Sequence, residues 1–116
     1  MKPEKIIELV CDHLGISECE LGYRTRKSEI VKAREYCFFL IHYTSPMTFK
    51  KIGKLFNRTH GTVISGIRTL QDRMDTEPVL FKSVYSLLDI IDDYNKNNVV
   101  VKEVDEPMFQ ENDWYV

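Results

Sequence analysis

Thr48 to Leu70 reads TFKKIGKLFNRTHGTVISGIRTL, and its spacing decides the fold. Phe49, Ile52, Leu55 and Phe56 recur at helical intervals, and so do Val63, Ile67 and Leu70. Between the two apolar stripes lies Asn57-Arg58-Thr59-His60-Gly61-Thr62, a small and polar run that predicts a tight turn. Two short helices joined in this way predict a helix-turn-helix, a motif whose second helix suits the DNA major groove. The first turn of that helix would carry Arg58, His60, Thr62 and Ser65, which offer donors, acceptors and one methyl group to base edges.

Upstream, Pro46 breaks the chain at Thr44-Ser45-Pro46-Met47, and Thr48 can cap the helix that follows. Before the break, a helix is predicted over about Glu29 to Tyr43, with Ser28 as its cap. Ile30, Ala33, Cys37, Leu40 and Ile41 give it a buried face, and Tyr36, Phe38, Phe39 and Tyr43 widen the apolar surface. That breadth makes it the central helix, with its aromatics in the core and His42 in a structural role.

Gly22 to Ser28 is a basic loop holding Arg24, Arg26 and Lys27. The chain opens with a helix from Pro3, with Ile6, Ile7, Val10 and Leu14 on one face and Gly15 as its stop. Ile16 to Leu21 reads as a connecting turn packed beneath it. Downstream, Gln71 to Glu77 is polar, and Pro78 opens a last helix faced by Leu80, Val84, Leu87, Leu88 and Ile91. The pattern fades over Asp92 to Asn98.

These elements predict an all-α domain over residues 1–95, with the helix-turn-helix at about 48–74. An acidic tail follows over 96–116. Val99-Val100-Val101 reads as a strand with nothing to pair with, and Met108-Phe109 and Trp114-Tyr115 are apolar spots that would suit docking. The tail is expected to be a loose terminus, a segment that docks on a replication or regulatory protein, or one that folds over the basic face.

The 116 residues carry a net charge of −2, which by itself argues against a nucleic-acid partner. The distribution argues for one. Arg24 to Arg73 holds 11 Lys and Arg against 3 acids, a local balance of +8, while both flanks are acidic. Phosphates sense charge within about 8 Å at physiological salt, so the middle of the chain can face DNA despite the total. Cys11, Cys19 and Cys37 are odd in number and lack C-x-x-C spacing, which predicts reduced thiols in a cytoplasmic protein. Cys11, His13 and Cys19 match no standard zinc spacing, so neither metal nor cofactor is expected. No signal peptide and no apolar run near membrane-spanning length occurs, which predicts no membrane partner.

With these features placed, Ile7 to Leu88 resembles the C-terminal DNA-binding domain (domain IV) of the bacterial replication initiator DnaA. Phe56-Asn57-Arg58-Thr59-His60-Gly61-Thr62-Val63 aligns with that family's F-G-G-R-D-H-T-T-V motif, one residue shorter. Ile30-Val31-Lys32-Ala33-Arg34-Glu35 is similar to its I-V-x-A-R-Q, and Ile52-Gly53-Lys54-Leu55-Phe56 to its I-G-x-x-F. The resemblance implies a small helical fold of the DnaA C-terminal and Trp-repressor kind, binding double-stranded DNA. By position, Arg26 would probe the minor groove, with Arg24 and Lys27 beside it. Arg58, His60 and Thr62 would face major-groove bases or adjacent phosphates, with Ser65 one turn on. Arg34, Lys54 and the amides behind Thr59 would hold phosphates.

The departures are specific. Thr59 replaces the family aspartate, so a carboxylate acceptor is lost, although Thr59 can still cap the helix. Gly61 replaces a threonine that reads bases, Asn57 stands in for one of two glycines, and Glu35 replaces a glutamine and would repel a nearby phosphate. The scaffold reads as kept and the recognition code as rewritten.

No G-x-x-x-x-G-K-[ST] loop occurs, which predicts a free-standing reader, monomeric in its simplest form, and no ATPase. Such a reader would act in origin recognition, in control of replication initiation, or in transcription. The alternative is a protein-interaction module that keeps the fold without specific DNA binding. An enzyme built on His60 with Cys37 or a serine lacks any activating motif, so none is expected.

Overall fold

Ser28–Thr44 forms a helix, α2, that every other element touches. The computed structural model describes residues 1–22 and 27–98. Around α2 lie α1 (Pro3–Leu14), α3 (Phe49–Leu55), α4 (His60–Thr76) and α5 (Pro78–Asn98), with a short 3-10 turn at Glu18–Gly22. No strand occurs among the described residues, and none of their helices is long and apolar enough to cross a membrane. The expected strand at Val99 to Val101 and the rest of the acidic tail beyond Asn98 lie outside the described residues, while the first three positions of that expected tail, 96–98, belong to α5.

Every residue from Ala33 to Ile41 is buried, so α2 has no solvent face through its middle. Ile6 and Val10 of α1, Ile52 of α3, Val63 and Leu70 of α4, and Val84 and Ile91 of α5 meet it in one core. Burying each such side chain stabilises by about 1.5–3 kcal/mol, so apolar packing outweighs any single polar tie between the helices. The polar ties set register instead. Gln71 Nε2 donates to Tyr43 Oη at 2.8 Å, joining α4 to α2. Tyr36 Oη donates to Ser83 Oγ at 3.0 Å, and His13 Nε2 lies 2.9 Å from the same oxygen. His42 is half-buried and stacks on Phe49, with ring centroids 4.7 Å apart. That contact fits its expected structural role, and burial lowers its pKa.

Pro3 opens α1, and Gly15 closes it with φ of 71°. Pro78 opens α5. Three boundaries differ from the sequence reading, one being the end of α5, which runs to Asn98 past the fading pattern and the expected domain end at 95. Ser28 is the first helical residue of α2, and Lys27 occupies the cap position without a side-chain hydrogen bond. Helix α4 continues through the polar run to Thr76, because Met74 extends its buried stripe by one more turn. The three cysteines are free thiols. Burial pushes Cys11 up to about 11 and raises Cys37 as well. Cys37 is fully buried, so it offers no nucleophile to His60.

Candidate nucleic-acid interface

Helix α3 ends in a hydrogen-bonded turn that aims α4. The Asn57 N–H donates to the Lys54 carbonyl at 3.3 Å, and the Arg58 N–H to the Gly53 carbonyl at 2.8 Å. This pair is the Schellman pattern, which needs one left-handed residue after the helix. Asn57 supplies it, with φ of 57°, and is the only non-glycine residue with positive φ among those described. An asparagine tolerates that region better than most side chains, which explains how it stands in for a glycine. Gly53 is required on the other side of the turn, since a Cβ there would fall on the Arg58 carbonyl oxygen. Phe56 then turns inward and meets Phe38 edge-to-face at 5.1 Å, which fixes the turn to α2.

Thr59 is the N-cap of α4, as expected. Its Oγ1 accepts the Thr62 N–H at 3.3 Å and lies 3.1 Å from the Thr62 hydroxyl. His60, Gly61, Thr62 and Ser65 follow, all exposed, while Val63, Gly66, Ile67 and Leu70 turn inward. The inward stripe anchors the helix and leaves the first turn outside. A Cβ at Gly61 would meet only the Thr59 hydroxyl, at 3.9 Å. Lys54, in the last turn of α3, is exposed, as is Lys27 at the start of α2. Arg24 and Arg26 lie outside the described residues.

Two arginines sit differently from the sequence reading. The resemblance puts Arg34 at a phosphate by position, and it is only 7% exposed. Its Nε donates to the Leu21 carbonyl at 2.8 Å, because α2 is surrounded and Arg34 turns toward the 3-10 turn. Arg58 is half-buried and folds over its own turn, with Nη1 donating to the Phe56 carbonyl at 3.0 Å and to the Asn57 carbonyl at 3.1 Å. Burial lowers the Arg34 pKa, and the nearby Arg58 charge lowers it further.

Both arginines line a cleft of about 430 Å³ between α2 and the first half of α4. Thr59, Gly61, Thr62, Ser65 and Thr69 line it from the α4 side, and Val31, Glu35 and Phe38 from the α2 side. Cations, hydroxyls and a capped helix start thus share one concavity, an arrangement suited to an anion. Glu35 is the exception in its wall. It is 6% exposed, and its Oε1 lies 3.7 Å from Arg73 Nη1.

Sequence reasoning passed over Arg68 and Arg73. Arg68 is exposed and follows Gly61 and Ser65 on the outward face of α4. Its signal was the spacing of 61, 65 and 68, the same periodicity that marked the buried stripe. Arg73 had no signal, because its partner Glu35 is 38 positions away in the chain.

A family described as bacterial DnaA protein helix-turn-helix matches residues 3–70. The chromosomal replication initiator protein DnaA of Oleidesulfovibrio alaskensis is 34% identical over 89 residues, which is 77% of this chain and 19% of that protein. The protein of the same name from Leptospira biflexa is 33% identical over 75 residues, 65% of this chain and 17% of its own length. That of Mycoplasma pneumoniae is 28% identical over 86 residues, 74% of this chain and 20% of its own length. The chain thus spans about a fifth of the length of these relatives.

Proposed function

The chain belongs to the family of bacterial DnaA helix-turn-helix domains, and from that premise we propose that it binds double-stranded DNA through the first turn of α4. The observation that carries this reading is the geometry of that turn. Thr59 caps it, the Asn57 turn aims it, and its side chains at His60, Thr62 and Ser65 face solvent inside the basic stretch from Arg24 to Arg73. In this reading His60, Thr62 and Ser65 meet base edges, and the exposed Arg68 extends the same face. Lys54 and the amides at the start of α4 hold phosphates.

Besides lining the cleft, Arg34 acts here through position. Its bond to the Leu21 carbonyl pins the chain just before the basic loop to the rim of the cleft. That anchoring supports a second contact in which Arg26, with Arg24 and Lys27, enters the minor groove beside α4. The physiological role we propose is control of replication initiation by occupying boxes recognised through this surface. The three relatives support that role, since each is a chromosomal replication initiator protein.

The test is selection of bound duplexes from a random pool, followed by a salt titration of the selected site. Recovery of a defined box, with affinity falling steeply as salt rises, supports the reading. Absence of duplex binding at low salt would sink it. The buried acid at Glu35 and the bare position at Gly61 favour one rival, a module that keeps the fold and binds protein. That rival predicts no enriched sequence.

A further inference from the structure

Glu35 is the acid among the described residues that line the α2–α4 cleft, and its Oε1 is buried with no hydrogen-bond donor. Its side chain is 9% exposed, and Arg73 at 3.7 Å is too distant to donate. Gly66 lets α4 press close to it. A Cβ at Gly66 would lie 2.9 Å from Phe38 Cδ2 and 3.5 Å from Glu35 Cγ. The carboxylate is thus held in the wall by packing rather than by hydrogen bonds. Arg34, Arg58 and the hydroxyls of Thr62 and Ser65 share the same concavity. The cleft has the donors of an anion seat and one group whose charged form opposes an anion.

We propose that duplex DNA binding takes up one proton at Glu35, as a backbone phosphate seats in the cleft between α2 and α4. The inference rests on the DNA-binding reading above. The chemistry is a single O–H bond formed on the Glu35 carboxylate, with the proton drawn from solvent and the phosphodiester keeping its charge. The neutral acid removes a like charge from beside the phosphate and gives the cleft another donor. The free protein is already biased that way. Burial raises the Glu35 pKa, while Arg73 of α4 and Lys32 of α2 pull it down. Arg34 and Arg58 are the other charged groups in the cleft wall. His60 stands at the start of α4, outside the lining.

The experiment measures affinity for a fixed duplex at constant low salt, from about pH 5 to about pH 8, for the full chain, E35Q, H60Q and the double variant. For the full chain, affinity should fall by up to about tenfold per pH unit where Glu35 titrates. E35Q should bind more tightly than the native chain at the upper end and lose most of that slope, and H60Q should keep it. Calorimetry of the unaltered chain in buffers of different ionisation enthalpy counts the protons directly, and uptake is expected. Duplex binding with the same slope in E35Q as in the native chain, or without proton uptake, overturns the inference alone. Absence of duplex binding by every variant at every pH overturns the DNA-binding reading and the inference with it.

Discussion

The carbonyl oxygen of Arg58 occupies the space that a side chain on Gly53 would need, and the Arg58 N–H donates back to the Gly53 carbonyl at 2.8 Å. Residues five apart in sequence therefore clamp α3 to the start of α4. Gly53→Ala should destabilise the fold by about 1–3 kcal/mol, because backbone rather than a mobile side chain fills the space. Gly61→Ala should be neutral, or stabilising by up to about 1 kcal/mol, since Gly61 faces open space within a helix. Urea unfolding of the two variants checks the contrast, and equal midpoints would contradict it.

Asn57 holds the left-handed position of the same turn. Asn57→Gly should leave stability close to native, while Asn57→Val should cost about 1–2 kcal/mol, because a branched side chain is strained there. Thermal unfolding reads the difference. A valine variant as stable as the glycine variant would mean that the turn can adopt another geometry.

Arg34 separates packing from phosphate contact. Its guanidinium satisfies the Leu21 carbonyl inside the protein, so Arg34→Ala should destabilise by about 1.5–3 kcal/mol. Arg34→Lys should rescue little, since an ammonium cannot reproduce the planar fork. An alanine variant of native stability that binds DNA poorly would show that Arg34 acts through the cleft alone and not through its bond to Leu21.

Glu35 gives folding a pH dependence that can be measured without DNA. Its folded pKa is raised, chiefly by burial, so the favourable protonated form is fully populated below the unfolded pKa of about 4.3. That contribution is lost as pH rises through the higher folded pKa. Glu35→Gln should therefore gain stability over the native chain at neutral pH, and the gain should vanish in acid. A melting-temperature series against pH tests the sign. A constant offset at all pH values would show that the carboxyl titrates alike in both states.

The proposed DNA surface divides into two kinds of residue. His60→Ala and Thr62→Ala should each cost about 1–3 kcal/mol on a selected site and much less on unrelated duplex. Lys54→Ala should weaken all sequences alike and reduce the salt slope by about one. Binding isotherms on both duplexes at several salt concentrations distinguish them. Identical behaviour in all three variants would overturn the division into base-readers and phosphate-holders.

The helix-turn-helix was readable because both of its stripes are strongly periodic and its caps are local. Thr59 with Thr62, Asn57 in its turn, Pro3 with Gly15, and Pro78 all act within a few residues of themselves. The centrality of α2 was also readable, from the breadth of its apolar surface. The reading failed where the third dimension decides. The bond of Arg34 to the Leu21 carbonyl had no signal in the neighbouring positions. Glu35 met Arg73 only once α4 had crossed α2. The end of α4 was hidden because one buried residue, Met74, outweighed a polar run around it.

Helix α2, shut away from water along its centre, leaves the protein's working edge with a particular freedom. Val63, Ile67 and Leu70 hold α4 to the interior along one stripe, so the proposed base-facing positions 60, 61, 62 and 65 can be exchanged without disturbing the interior. New targets are then reachable by point changes on an unaltered chassis. An excised Thr48–Thr76 fragment, stripped of its axle, would have no such option.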